Sequence, residues 1–264
     1  MIEVHQGAGP IVLGLPHTGT RVPEDVAATL NPRGTALADT DWHIHTLYDA
    51  LLEGVTTVRT LAHRYVIDVN RAPDGVSLYP GQNTTGLCPL TDFDGHPIYL
   101  PGQEPDAAEI ARRREMHHAP YHAALQAEIA RVRDQHGMVI LYDCHSIRSV
   151  IPYLFKGKLP DFNIGTDGGR TCGQAVQNAV ENICGAARGY STVVNGRFKG
   201  GWTTRHYGNP AAGVHAIQME LAQSTYMRET APWTYEAGKA DRLRSHLSTI
   251  LKTLQALVYT GELT

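Results

Sequence analysis

Short apolar runs and longer amphipathic stretches alternate along this chain. Residues 11–15 (IVLGL), 138–143 (MVILYD) and 214–221 (VHAIQMEL) are nearly continuous apolar runs of strand length, the pattern of strands buried on both faces. Residues 55–61, 65–69 and 191–194 read as further strand material. Helical spacing takes over from Asp39, where Ile44, Leu47, Tyr48, Leu51 and Leu52 follow an i, i+3, i+4, i+7, i+8 pattern that Asp39 or Thr40 can cap. A longer helical pattern runs from Pro105 to Gly137, with Leu125, Ile129 and Val132 on one face and Pro120 set to kink or split it. Two more helices are predicted over 172–183 and 233–259, the second with Leu243, Leu247, Ile250, Leu251, Leu254 and Val258 in register. Helix followed by strand is the grammar of an α/β fold with a parallel sheet. No linker-like stretch divides the 264 residues, so one domain over 1–264 is expected.

The polar residues that end these runs carry the candidate chemistry. The 138–143 run stops at Asp143, Cys144, His145 and Ser146, the 11–15 run leads into Pro16 and His17, and the 214–221 run carries Glu220. Open α/β sheets bind ligands at the carboxyl ends of their strands, so three polar groups placed there suggest one site. Strand alternation sets Ala216, Gln218 and Glu220 on one face of the last run, a face small and polar enough for a carboxylate in a cavity. The segment DTDWHIH brings Asp39, Asp41, His43 and His45 to a helix start, where acids also favour the positive dipole end. Arg64 and Arg71 flank the 65–69 run, and arginine is the side chain that grips a carboxylate through two parallel hydrogen bonds. Residues 73–102 are broken by prolines and glycines yet keep Leu78, Tyr79, Leu87, Phe93, Ile98 and Tyr99, which predicts an ordered loop walling a pocket. The glycines at 165, 168 and 169 read as a turn before a helix, and those at 196, 200, 201 and 208 frame Arg197, Lys199, Arg205 and His206 as a pliable anion clamp.

Composition narrows the partners. A hydrophobic content of 42% suffices for a full core, and a net charge of −3 argues against nucleic acid or a membrane surface, leaving a small molecule. The four cysteines form no Cys-x-x-Cys pair, no signal-peptide pattern opens the chain, and no apolar run approaches a membrane span, so a cytoplasmic protein is expected. Fourteen histidines favour metal chemistry slightly.

A mononuclear zinc site takes about three His or carboxylate ligands and leaves one position for water. His17, His145 and one acid of the DTD segment meet that count, with Glu220 outside the ligand set as the base that takes the water's proton. Arginines could then stabilise an oxyanion and hold a carboxylate tail, a description of amide hydrolysis on a small acid.

Seven blocks, namely PHTG at 16–19, DTDWH at 39–43, RYVIDVNR at 64–71, LYPGQNTTGLCP at 78–89, DCHSI at 143–147, NGRFKGGWTTRHYG at 195–208 and QMEL at 218–221, together resemble the N-formylglutamate amidohydrolases. That family is similar in fold to the zinc carboxypeptidases and aspartoacylases, which implies a single three-layer α/β/α domain around a mixed, largely parallel sheet. The resemblance implies release of formate and L-glutamate from N-formyl-L-glutamate in histidine degradation, with one zinc per chain. It implies His17 and His145 as metal histidines, Asn70 and Arg71 as the substrate-carboxylate pair, Arg64 as the carbonyl-polarising arginine and Glu220 as the catalytic glutamate. In the wider group an acid three residues after the first histidine completes the metal site, and here Thr20 stands there. Asp41 is therefore taken as the third ligand, with Asp39 and His43 as alternatives, and Arg205 is assigned to the second carboxylate. Two other readings compete: a binuclear manganese, arginase-like formiminoglutamate hydrolase, imperfectly imitated by DTDWHIH and DCHS, and a non-catalytic dicarboxylate-binding domain.

Overall fold

Strands that are apolar on both faces need a cover on both, and the chain meets that need with a central parallel sheet between two helical layers. The computed structural model describes residues 1–76, 81 and 83–263. Its seven strands are β1 (Ile2–His5), β2 (Ile11–Leu15), β3 (Thr56–Thr60), β4 (Val139–Ile147), β5 (Phe162–Gly165), β6 (Thr192–Val194) and β7 (Val214–Ala222), in the order β1-β3-β2-β4-β7-β5-β6. The centre β3-β2-β4-β7 is parallel, β1 and β5 join it antiparallel, and β6 runs parallel to β5. The helices are α1 (Glu24–Ala27), α2 (Pro32–Thr35), α3 (Ile44–Tyr48), α4 (Ala107–Arg113), α5 (Ala119–His136), α6 (Gln174–Ala186), α7 (Trp202–Tyr207) and α8 (Ala237–Tyr259).

Alternation along the central strands decides which layer each residue joins. Ile11, Leu13 and Leu15 of β2, Ile140, Tyr142 and Cys144 of β4, and Ile217, Met219 and Leu221 of β7 pack with α3, α6 and α8. On the opposite face Val12, Val139, Leu141 and Ala216 pack against Tyr121, Leu125, Ile129 and Val132 of α5. That second face changes character along its length, because Asp143 and His145 follow Leu141 while Gln218 and Glu220 follow Ala216. Its amino-terminal half builds core, and its carboxyl-terminal half delivers polar groups. Gly14, the weak point of the first run, pairs with Asp143, and a Cβ there would stand 3.3 Å from the Asp143 Oδ1. The glycine leaves room for a buried carboxylate.

Several elements depart from the sequence reading. The helix expected through Leu52 ends at Tyr48; Arg244 and Ser248 of α8 take the carbonyls of Leu47, Asp49 and Leu51, replacing bonds the helix would have made. Residues 65–69 are buried but form turns rather than a strand. Their carbonyls go to side chains instead of a ladder: Arg113 takes those of Tyr65 and Val66, and His122 takes that of Val69. Pro120 does not split its helix. A π-helical turn at Arg114–His118 joins α4 to α5, a wider turn that tolerates the N–H missing at Pro120. Strands β1 and β5 were not anticipated, β4 runs through His145 instead of stopping at Asp143, and the glycine-framed 195–208 segment contains α7. The 165–169 stretch is a turn, closed by the Thr166 and Gly168 N–H groups on the Asn195 Oδ1 at 2.9 and 3.2 Å. Leu78 and Tyr79 lie outside the described residues, while Leu87, Phe93, Ile98 and Tyr99 of the same loop are buried. Among the described residues no helix is long and apolar enough to cross a membrane.

The loop that follows β2 is fixed by close approach. A Cβ at Gly19 would lie 2.4 Å from the Leu61 carbonyl carbon, so this loop presses on the backbone beyond β3. Gly19→Ala is expected to lower the unfolding free energy by about 1–3 kcal/mol in urea denaturation, through displacement of that backbone.

Candidate metal centre

Three elements meet at the carboxyl end of the sheet. His17 leaves β2, His145 sits in β4, and the segment before α3 is tied to the first by the Asp41 N–H, which donates to the His17 carbonyl at 3.0 Å. Asp41 is fully buried, its Oδ1 accepting from the Arg64 Nη2 at 2.5 Å and its Oδ2 from the Ser146 N–H at 3.0 Å. The His17 and His145 Nδ1 atoms then face each other at 3.2 Å, with the Asp41 Oδ2 at 3.7 and 3.3 Å from them.

Proton bookkeeping decides what this cluster holds. The His17 Nε2 lies 2.7 Å from the Asp68 Oδ1, and the His145 Nε2 lies 3.1 Å from the Asp143 Oδ2. Carboxylates only accept, so each Nε2 carries the proton and each Nδ1 turns a lone pair inward. Two inward lone pairs and a carboxylate oxygen repel one another unless a metal ion, or a second proton on His145, lies between them. His17, Asp41 and His145 thus fit a divalent metal, with Asp68 and Asp143 as the outer carboxylates that fix ring orientation. The electrostatics agree. Burial alone would raise the Asp41 pKa, yet Arg64 and the two imidazoles hold it well below the carboxylate range. Against its own burial, Asp68 is held low by His17 and Arg71. His145 is driven the other way: burial disfavours its proton, but Asp143, Asp41 and Glu220 raise its pKa well above the imidazole value. The cluster is built to attract positive charge.

A pocket of about 670 Å³, counting its open mouth, lies against this cluster and is lined by His17, Arg64, Asn70, Arg71, His145 and Glu220 among others. Glu220 pairs with His145 across β4 and β7, and burial pushes its pKa up to about 8, with Asp41 and Asp143 reinforcing the shift against His145 and Arg64. Its Oε2 accepts from the Gln218 Nε2 at 3.2 Å, and the Gln218 Oε1 accepts from the Gly201 N–H at 2.6 Å. Arg64 lies beneath the Phe93 ring, 5.0 Å from its centroid, with one nitrogen on Asp41. Asn70 reaches the His145 Nε2 at 3.2 Å and accepts from the Thr203 N–H at 2.9 Å, while Arg71 leans on Thr85. Asn83, Thr84, Thr85 and Phe93 supply the loop wall expected from residues 73–102.

The two alternatives for the third ligand, and Arg205, stand apart from the cluster. Asp39 does not join the cluster; it accepts from the Tyr65 hydroxyl at 2.7 Å and the Phe93 N–H at 2.8 Å, and burial pushes its pKa up to about 6. His43 is turned to the Trp233 carbonyl at 2.6 Å. Arg205 does not line the pocket: its Nε lies 2.9 Å from the Gly200 carbonyl and 3.4 Å from the Asp167 Oδ1, because α7 carries it to the turn at 165–169. Arg197 lines the pocket from the same glycine-framed segment.

Sequence reasoning missed the outer carboxylates and the histidines behind the substrate pair. Asp143 is two residues before His145 on one strand face, a signal that alternation offers directly. His118 and His122 donate from Nε2 to the carbonyls of Arg71 and Val69 at 2.9 and 2.7 Å, bracketing Asn70. No pattern in the sequence marks them, because the π turn sets their phase.

Two outcomes follow. Asp68→Asn or Asp143→Asn replaces a charged acceptor behind a cluster histidine with a neutral one, and each is expected to weaken divalent-metal binding by about 10- to 100-fold in a competitive chelator titration. Burial pushes the His122 pKa down to about 3, so the folded state binds fewer protons than the unfolded chain between that value and the ordinary imidazole range. The associated stability is complete above that range and lost as pH falls toward 3. Wild type should therefore lose about 1–2 kcal/mol more than His122→Gln between pH 7 and pH 5 in denaturant titrations.

The sequence profile of the N-formylglutamate amidohydrolases matches residues 9–227. Two proteins named N-formylglutamate deformylase, from Pseudomonas putida and Pseudomonas aeruginosa, are each 46% identical to this chain over 257 residues, covering 97% of it and 96% of the relative. The crystal structure of an N-formylglutamate amidohydrolase from Ralstonia eutropha superposes with a TM-score of 0.82 at 25% identity, covering 98% of both chains. A gene product from Agrobacterium tumefaciens shares the fold, with a TM-score of 0.73 at 18% identity over 97% of this chain and 95% of that one. With the family profile matched over most of its length and two relatives 46% identical over nearly all of it, the chain belongs to the N-formylglutamate amidohydrolase family.

Proposed function

We propose that this protein hydrolyses N-formyl-L-glutamate to formate and L-glutamate with one zinc ion, as a cytoplasmic step of histidine degradation. The observation that carries the reading is the inward convergence of two Nδ1 lone pairs and one Asp41 oxygen beside a buried glutamate. The four cysteines are free and buried, which suits a reduced compartment. Zinc held by His17, Asp41 and His145 would supply Lewis acidity and make a water acidic enough to attack near neutral pH.

The chain's own groups account for the rest. Glu220 is placed to accept the attacking water's proton and return it to the amide nitrogen as the C–N bond breaks, leaving formate and the free amine. Arg64 keeps its Nη2 on Asp41 and has a buried Nε without a hydrogen-bond partner among the described residues, so it can donate to the oxygen that gains charge on the formyl carbon. Asn70 and Arg71 would hold the carboxylate nearest the amide, with His118 and His122 fixing their backbone. Among the described residues one cluster of three donors meets metal-ligand geometry, which favours a mononuclear site over the binuclear manganese reading. The presence of Glu220 and Arg64 against that cluster favours catalysis over a dicarboxylate-binding role.

Formate release from N-formyl-L-glutamate should fall to background after chelation and return with added zinc. Glu220→Gln should lower kcat by about a hundredfold or more while zinc binding persists. Turnover equal to wild type would remove Glu220 as the base, and zinc-loaded wild type that released no formate would sink the hydrolase reading.

A further inference from the structure

The pocket has a second basic corner that the reaction above does not use. Arg197 follows β6, where the Asn195 side chain closes the 165–169 turn and fixes the path of the segment. Its Nε donates to the Leu154 carbonyl and its Nη2 to the Asn83 carbonyl, both at 3.2 Å, and its guanidinium lies 5.7 Å from the Phe198 ring centroid. Asn83 in turn donates to the Tyr153 carbonyl at 2.9 Å. Asn83, Leu154, Arg197 and Phe198 all line the pocket, so three chain segments converge to hold one arginine in its wall.

We infer that Arg197 determines specificity for the substrate's side-chain carboxylate, leaving the α-carboxylate to Arg71. The inference rests on the reading of the substrate as an N-acylated dicarboxylic amino acid. In such a molecule the α-carboxylate is two bonds from the amide nitrogen and the side-chain carboxylate is farther out. Arg71 is the inner arginine, next in the chain to Asn70, whose amide touches the metal histidine His145 at 3.2 Å. Arg197 enters the wall from another segment, with its guanidinium on the carbonyls of Leu154 and Asn83. Two carbonyls hold its guanidinium plane, so little side-chain freedom is lost when it meets a carboxylate. Arg205 and Lys199 share its segment but do not line the pocket.

The test compares kcat/KM for N-formyl-L-glutamate and N-formyl-L-glutamine, which differ only in that distal group, in wild type, Arg197→Gln and Arg197→Lys. A ratio of two substrates on one preparation cancels any misfolded fraction. Wild type should prefer the glutamate substrate, Arg197→Gln should lose about tenfold or more of that preference, mainly through KM, and Arg197→Lys should keep part of it. If Arg197→Gln lowers both substrates equally, the residue is structural and the inference is overturned. Wild type that hydrolyses both without preference also overturns it while leaving the hydrolase reading intact. Absence of formate from either substrate would overturn the hydrolase reading itself, and this assignment with it.

Discussion

Mutual repulsion among three electron-rich atoms is the constraint on which the rest of this site depends. The Nδ1 atoms of His17 and His145 and one oxygen of Asp41 point into the same buried space. The outer nitrogens carry their protons toward Asp68 and Asp143, and one further proton on His145 could bridge only part of the cluster, whereas a metal ion can meet all three atoms at once. A cation held there would relieve the conflict, and its charge would also offset the close burial of Asp41, Asp68, Asp143 and Glu220.

The sheet makes this arrangement affordable by giving each central strand two jobs. Along the α5-facing side of β4 and β7, Val139, Leu141 and Ala216 close the core, while further along Asp143 backs His145, and His145, Gln218 and Glu220 line the pocket. Burial pushes the Glu220 pKa up to about 8, with Asp41 and Asp143 adding to the rise and the neighbouring His145 and Arg64 opposing it. The elements around the sheet then act as braces. Gly14 yields space to Asp143, Gly201 donates to Gln218, and the π turn before α5 aims two imidazoles at the backbone on either side of Asn70. Much of the pocket wall comes from loops and turns set around these braces.

Much of this was legible in the sequence because strands announce both their burial and their ends. The runs at 11–15, 138–143 and 214–221 gave the parallel centre, and the polar residues that close them gave His17, His145 and Glu220. What failed to show was anything set by side chains from distant segments. Residues 65–69 carry strand composition, yet Arg113 and His122 satisfy their carbonyls and the segment turns. Asp41 is taken ahead of Asp39 without a physical criterion in the sequence; Arg64 and Tyr65 supply one, holding the first at the His17-His145 cluster and the second at the Phe93 loop. Arg205 and Arg197 share a glycine-rich stretch that reads as one flexible clamp. The helix inside it swings Arg205 to Asp167 and leaves Arg197 in the pocket wall.

The most direct measurement is a zinc-soaked crystal read by anomalous scattering at the zinc edge. One peak per chain should appear between the His17 Nδ1, the His145 Nδ1 and the Asp41 carboxylate, with the Nε2 atoms still turned to Asp68 and Asp143. A peak held through the Nε2 atoms, or two metals sharing Asp68 or Asp143, would contradict the inward lone-pair assignment on which the site rests.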